Sequence, residues 1–244
     1  MEVHHHAGGH HGPKKFKDYF LEFLMIFLAV TMGFLAENFR EFITDRNHVE
    51  ELAGQLKEDL TNDTTNVQKL IDFETAQVKR ADSLYAMLIL PADKIDYRQM
   101  QDMIVSCDRM DFFYPSTGAI STIKRELHLK EFVKTKIAVH IDNYEKVVTV
   151  LQNFENREAE YLGKYLETFM SSHFTPENAA VAVLRRPVLN GNLRNLHAVD
   201  LVQLSVDISL IKAYDLVLIN QYRRIKTEAT AFMGHIKETY RLDD

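Results

Sequence analysis

The sequence predicts an all-α fold, in which an N-terminal transmembrane helix continues into a long antiparallel helical bundle of three main helices plus short helices. Three observations predict this class. Glycine and proline, which β-rich folds use in frequent turns, number only 9 and 5 among 244 residues. An 18-residue apolar stretch lies near the N-terminus. Elsewhere, apolar residues recur at the helical spacings of three and four.

Composition and charge narrow the classes of function. The chain is 46% hydrophobic and 26% charged, which suits a folded protein with a core. Its net charge is −6 and it has no basic tract, so we expect no nucleic acid partner. The single cysteine, Cys107, excludes an internal disulfide framework and a cysteine-based metal cluster.

Residues 1–15 form a histidine-rich tail with glycines between its two histidine groups: His4, His5, His6, His10 and His11. Neutral imidazoles bind zinc, nickel or copper, so this tail has the chemistry for metal capture. We favour a disordered tail without a metal function, because ordering it around an ion would cost conformational entropy.

Residues 16–40 are predicted to form a transmembrane helix. Its apolar part, residues 19–36, has one charged residue and would span about 27 Å, close to the ~30 Å core of a bilayer. A buried core helix would keep a polar stripe, which is nearly absent here. A cleaved signal peptide would place Phe34 where a small residue is required, so we favour an uncleaved signal anchor.

The basic residues that flank this helix indicate its orientation. Lys14, Lys15 and Lys17 precede the helix, and Arg40 and Arg46 follow it among several acidic residues. The positive-inside rule then favours a cytoplasmic N-terminus, with the bulk of the chain in the periplasm of a bacterium. The sequence therefore predicts a single-pass protein of the bacterial inner membrane.

Small residues in the membrane helix suggest a packing face. Ala29 and Gly33 stand four residues apart, a spacing that lets two helices approach closely. Glu22 lies on the same side, where a carboxylate inside the bilayer is costly unless it has a partner. A proton or ion relay is one interpretation of Glu22. We favour a contact within a homo-oligomer, because the span holds no second ionisable residue.

Residues 41–244 are predicted to form the helical bundle. The first long helix extends to Leu90, either straight or bent at the poor helix formers of residues 61–66. We interpret its acidic side, between Asp45 and Glu74, as a solvated face. The apolar stripe of this helix consists of Val49, Leu52, Leu56, Leu60, Val67, Leu70, Val78, Ala81, Tyr85 and Leu88.

Short helices and a second long helix follow. We expect a short helix over residues 95–108, a helix capped by Ser116 or Thr117, and a long helix from about Leu129 to Met170. Residues 171–197 are predicted to be a loop with one helical turn. The stripe of the second long helix consists of Val133, Ile137, Ile141, Tyr144, Val148, Leu151, Phe154, Leu162, Tyr165 and Phe169.

The last helix has the most regular stripe, which contains one polar residue, Asp215. A buried carboxylate must be paired or protonated. Asp215 is therefore either a ligand or protonation site, or a register-setting contact with a basic residue or an oligomer partner, and we favour the latter. The stripe consists of Leu201, Leu204, Ile208, Ile211, Asp215, Leu218, Tyr222, Ile225, Ala229, Phe232 and Ile236.

The sequence shows no pattern typical of catalysis. It has no glycine-rich phosphate loop, nucleophile elbow or His-Glu-x-x-His motif. Three His-x-x-Glu pairs begin at His48, His128 and His235, but their order is the reverse of the di-iron motif. We therefore predict no enzyme activity, and no catalytic, cofactor or metal residues.

Several segments resemble a bacterial family of single-pass membrane proteins that carry a domain of unknown function. Glu22, Ala29, Gly33 and Asn38, followed by Phe39, match the pattern of that family's N-terminal span. The segments 116–124 and 229–242 are similar to its central and C-terminal segments. The resemblance implies one membrane span and a helical extracytoplasmic domain, and it implies no activity. It also adds Asn38 to the residues expected to pack helices in the membrane.

These observations predict a membrane-anchored structural or interaction protein. We expect it to bind the lipid bilayer, to form a homo-oligomer and to contact an envelope protein partner. The alternative is a periplasmic sensor or ligand-binding module that works through a separate transducer, because too few residues precede the span to form a signalling domain.

Overall fold

The computed structural model describes residues 15–126, 132 and 135–240, so the histidine-rich tail up to residue 14 lies outside the described residues. The all-α class is confirmed, since the described residues contain helices and no named strand. Phe174 and Leu193 form an isolated antiparallel bridge. The chain divides into two compact units, residues 1–50 and residues 51–244.

Helix α1 extends without a break from Phe16 to Leu88, over 73 residues. The poor helix formers of residues 61–66 do not interrupt it. The Thr61 hydroxyl donates to the carbonyl of Lys57 at 2.7 Å, and the Thr64 and Thr65 hydroxyls donate to the carbonyl of Thr61 at 2.8 and 3.0 Å. These hydroxyls find their acceptors within the same helix, and α1 continues through residues 61–66.

In the first unit, α1 contains a segment long and apolar enough to cross a membrane. Its most apolar window has a mean hydropathy of 2.0, and none of the window is buried. Large apolar side chains stay exposed here, among them Phe23, Met25 and Phe34 at 63%, 67% and 69%. By length and composition, this segment could serve as a membrane anchor.

The second unit contains the remaining elements. After α1 come a 3₁₀ turn (Ala92–Lys94), α2 (Tyr97–Cys107), α3 (Gly118–Arg125), α4 (Ile137–Leu162), a π-helical turn (Gly163–Glu167), α5 (Thr168–His173), α6 (Pro176–Val183) and α7 (Ala198–Tyr240). The start predicted for the second long helix, Leu129, lies outside the described residues. Helix α4 itself begins at Ile137, because Lys136 adopts a left-handed conformation with φ of 55°.

The long helices of the second unit differ in direction. The Tyr144 hydroxyl of α4 donates to Asp63 of α1, and Glu158 lies beside Glu74 further along both helices, so α1 and α4 run parallel. Helix α7 runs opposite to α1, because Lys226 contacts Gln68 whereas Lys212 contacts Asp82. Two of the three long helices, α1 and α4, are therefore parallel to each other, and α7 runs antiparallel to both.

The segment from α2 to α3 makes the parallel arrangement possible by returning the chain alongside α1. Gln77 donates to the Arg109 carbonyl, and the Ser116 amide donates to Asp63 at 2.9 Å. The Ala119 amide then donates to Asp59 at 3.0 Å. Along these three contacts the residue numbers decrease on α1 while they increase on the segment from α2 to α3, so this segment runs antiparallel to α1. The chain thus runs up, down, up and down, with the second leg divided into two short helices.

Most predicted stripe residues of α1 and α4 are buried, but Val78, Phe154 and Tyr165 are half-buried and Val133 lies outside the described residues. Helix α7 confirms its stripe in full, Asp215 included. The acidic side of α1, however, is not uniformly solvated as predicted. Asp63 and Glu74 are each only 1% exposed, because they occupy positions on the buried stripe. Conversely, Tyr85 was assigned to that stripe and is 42% exposed.

Candidate functional site

Three carboxylates from the three long helices meet inside the second unit. Glu74 of α1, Glu158 of α4 and Asp215 of α7 are 1%, 3% and 2% exposed. Each side chain contributes one carboxylate oxygen to a group of three oxygens that all lie within 4.8 Å of one another. We call these three residues the carboxylate cluster. Burial of three adjacent acidic groups is costly unless they are protonated or share a cation.

The helical repeat explains why the cluster forms. Glu74 lies four residues after Leu70, Glu158 lies four residues before Leu162, and Asp215 lies four residues after Ile211, so each acid falls on the buried stripe of its helix. Packing the three stripes against one another brings the acids together.

Hydrogen bonding within the cluster is incomplete. Both carboxylate oxygens of Glu74 and the Oε2 atom of Glu158 are buried and have no hydrogen-bond partner. The interaction between Glu158 and Asp215 raises the pKa of Glu158 and lowers that of Asp215, so Glu158 holds its proton more tightly than Asp215 does. The cluster therefore leaves buried acceptor atoms unsatisfied, which is uncommon in folded proteins.

Burial is the main cause of the perturbed pKa values in the cluster. It raises the pKa of Glu74 to about 8, with repulsion from Asp215 and Glu155 adding to the effect. Burial and the charge of Glu74 raise the pKa of Glu158 to about 10, and burial raises that of Asp215 to about 6. The cluster thus holds protons more tightly than isolated carboxyl groups do.

Arg80 is the basic residue whose charge acts on the cluster. Its positive charge lowers the pKa of Glu74 and of Asp215, yet burial outweighs this effect in both. Its Nε atom donates instead to Gln77 at 2.7 Å. Among the residues that the structure describes, no lysine, arginine or histidine forms an ion pair with a cluster carboxylate. Asp215 therefore meets acidic residues rather than the basic partner favoured from the sequence.

Two other buried carboxylates near these helices are well satisfied. Glu155 accepts hydrogen bonds from the Phe113 amide and the Tyr222 hydroxyl, both at 2.8 Å. Asp63 accepts from the Tyr144 hydroxyl at 2.6 Å and from the Ser116 amide. Burial raises the pKa of both acids, and these hydrogen bonds lower it in part. Both acids thus hold the segment from α2 to α3 against the long helices through hydrogen bonds. The oxygens of Glu74, by contrast, form no hydrogen bond.

Cys107 is the remaining unusual group in this region. It is 4% exposed, and burial together with the negative charge of Asp215 raises the pKa of its thiol to about 12. A thiol in this state is protonated and weakly reactive at neutral pH.

The residues predicted to pack helices in the membrane lie apart from the cluster, in the first unit. Glu22, Ala29, Gly33 and Asn38 all occur on α1 and are all exposed. A side-chain carbon added at Gly33 would meet no atom within 4 Å, so this face has room for another helix. Their role in helix packing stays a prediction.

Among the His-x-x-Glu pairs, the histidine at position 235 makes two contacts inside the second unit. Its Nε2 atom lies 2.7 Å from the Thr135 carbonyl, and its ring stacks on His140 with centroids 4.1 Å apart. His128 and Glu131 lie outside the described residues.

Sequence reasoning found Asp215 and missed Glu74 and Glu158. The available signal was a pair of interruptions in the apolar stripes: Leu70 to Val78 on α1 and Phe154 to Leu162 on α4 each span eight residues. In both intervals a glutamate occupies the expected stripe position. Comparisons of the chain with models of known protein families, with curated proteins and with solved structures gave no match.

Proposed function

We propose that this chain is a membrane-anchored helical protein with a structural or interaction role in the bacterial envelope, and that it works as a homo-oligomer. The observation that carries the proposal is the apolar segment of α1, which is long enough to cross a bilayer and has no buried residue in its most apolar window. Such a surface is unfavourable in water and favourable in lipid. The proposed role involves no catalysis.

Two further features support the oligomer and the location. The small residues Ala29 and Gly33 leave one face of the membrane helix open to close contact with a second copy. The lysines before the span favour a cytoplasmic N-terminus, which would place the bundle in the periplasm and the anchor in the inner membrane.

Isolation of the protein from native membranes in mild detergent, followed by mass determination of the complex, tests this role. We expect a mass corresponding to several copies, with or without a second envelope protein. A strictly monomeric species without a partner would contradict the proposal.

A sensor or ligand-binding module is the second candidate, and the carboxylate cluster favours it. Unpartnered buried acceptors are costly in a purely structural bundle and suit a bundle that binds a ligand. A sensor of this kind requires a separate transducer, which the same isolation would recover as a stoichiometric second protein.

A further inference from the structure

We infer that Glu74, Glu158 and Asp215 form a binding site for one divalent cation of the oxygen-preferring class, such as Mn²⁺, Mg²⁺ or Ca²⁺. The sequence predicted no metal site, so the structure goes beyond it here. The inference concerns the interior of the second unit and does not depend on membrane anchorage.

The geometry of the cluster suits a single ion. Oxygens on opposite sides of a calcium ion with bonds of 2.3–2.6 Å lie roughly 4.6–5.2 Å apart, and adjacent ligands lie closer. The three oxygens of the cluster lie within 4.8 Å of one another, so all three can reach one central ion. Each ligand comes from a different long helix, which means that the ion would join α1, α4 and α7.

The unpartnered atoms are the independent observation that points to a ligand. Glu74 is 1% exposed, and neither of its oxygens has a hydrogen-bond partner. The Oε2 atom of Glu158 is likewise buried and has no hydrogen-bond partner. Elsewhere in the same unit the buried acids Glu155 and Asp63 each accept two hydrogen bonds, so the fold satisfies buried carboxylates where they only stabilise the structure.

Charge balance also favours a cation. Three ionised carboxylates carry a charge of −3, and a divalent ion reduces it to −1. Arg80, whose charge already acts on Glu74 and Asp215, offsets part of the remaining negative charge. Without the ion, the cluster reaches neutrality only by taking up protons.

Ligand chemistry selects the class of ion. All three ligands are carboxylates, which suit Mg²⁺, Ca²⁺ and Mn²⁺, whereas zinc and copper prefer imidazole and thiolate. The nearby Cys107 thiol is held in its protonated form and is not counted among the ligands.

Metal analysis of the full-length protein in detergent tests the inference. The protein is unfolded in chelator and refolded with Mn²⁺, Mg²⁺ or Ca²⁺ in separate samples, which gives each ion access to the interior. After removal of free ion, we expect about one equivalent of at least one of these ions per chain, together with a higher midpoint of thermal unfolding.

The matched variants are Glu74→Gln and Asp215→Asn, which keep side-chain shape and remove one ligand charge each. We expect each to weaken binding at least about tenfold and to lose the thermal shift. Asp63→Asn is the control, because it neutralises a buried acid of the same unit outside the cluster and should retain the bound ion. The histidine-rich tail is identical in all four proteins, so ions held by the tail cancel in the comparison.

Three results would overturn the inference. The first is refolded wild-type protein that holds none of the three ions and shows no thermal shift. The second is ion binding that both cluster variants retain at wild-type affinity. The third is equal loss of the ion in Asp63→Asn and in the cluster variants. The first result would leave the membrane role untouched, since that role is tested by the mass of the complex.

Discussion

A carboxylate oxygen of Glu158 on α4 lies within 4.8 Å of a carboxylate oxygen of Asp215 on α7 in the buried core, although both side chains would be negatively charged in water at neutral pH. Glu74 on α1 completes this group, with both carboxylate oxygens unpartnered. A bundle core assembled from apolar stripes thus contains a centre whose charge depends on bound protons or on a bound cation.

The cluster should make the cation-free protein less stable as the pH rises. The folded-state pKa of Glu74 is raised from its ordinary value of 4.5 to about 8. Between pH 4.5 and pH 8 the folded state therefore keeps a proton on Glu74 that the unfolded state has released. The stability associated with this proton is fully present below pH 4.5 and is lost as the pH rises through 8. In chelator at pH 8, Glu74→Gln should be more stable than wild type by about 1–3 kcal/mol, and at pH 5 the difference should shrink.

Urea unfolding at both pH values measures this difference. Glu145→Gln is the control, because Glu145 forms an exposed ion pair with Lys124 and its loss should change stability by less than about 1 kcal/mol at either pH. Equal stability of wild type and Glu74→Gln at pH 8 would contradict the prediction, because it would show that ionisation of the buried Glu74 carboxyl does not destabilise the folded state.

The Tyr222 hydroxyl should contribute more to the free energy of unfolding than an exposed tyrosine hydroxyl does. It donates to the buried Glu155 at 2.8 Å, and Tyr222→Phe would leave that carboxylate with the Phe113 amide as its remaining donor. We expect a loss of about 1–3 kcal/mol in the free energy of unfolding. Tyr85→Phe, at a side chain that is 42% exposed, should lose about 0.5 kcal/mol or less. Similar losses in both variants would contradict this assignment.

His140, whose ring stacks on that of His235, should make the second unit less stable in acid. Burial, followed by the charge of His235, lowers the pKa of His140 from 6.5, whereas Glu228 raises it. A lowered folded-state pKa means that this stability is present above pH 6.5 and is lost as the pH falls. His140→Phe keeps a ring that can stack on Phe232 and cannot be charged. Its stability relative to wild type should increase between pH 7 and pH 5, as measured by thermal unfolding; an unchanged difference would contradict the prediction.

The small residues of the apolar segment of α1 should control the proposed oligomer. Gly33→Leu fills the face on which Ala29 and Gly33 lie, and it should shift the protein from oligomer to monomer in crosslinking of intact membranes. Thr31→Leu, on the opposite side of the same helix, should leave the oligomer intact. An oligomer that persists in Gly33→Leu would show that the copies do not contact each other through this face.

The regular parts of the fold were predictable from the sequence because apolar spacing determines which face of a helix is buried. Every predicted stripe residue of α7 is buried, and α1 continues through residues 61–66 as preferred. The direction of α4 was not predictable, because it depends on the path of the segment from α2 to α3. That path is held by contacts distant in sequence, such as that of the Ser116 amide with Asp63.

The candidate site was predictable only in part, for a related reason. Asp215 stands alone in an otherwise continuous stripe and is conspicuous in the sequence. Glu74 follows exposed acids such as Glu58 and Asp72 on α1 and resembles them in the sequence. A single helix does not reveal that polar interruptions on three helices occur at the same level of a bundle. That alignment follows from the register between the helices, which the interhelical contacts determine.

The proposed role depends on membrane anchorage through residues 16–40, and alkaline carbonate extraction of native membranes is the sharpest test of that anchorage. This treatment releases peripheral proteins and leaves proteins that cross the hydrocarbon core in the pellet. We predict that the full-length chain stays entirely in the membrane pellet, while a soluble periplasmic marker is released. Recovery of the chain in the supernatant would rule out a membrane anchor, because the exposed apolar segment of α1 would then be covered by something other than lipid.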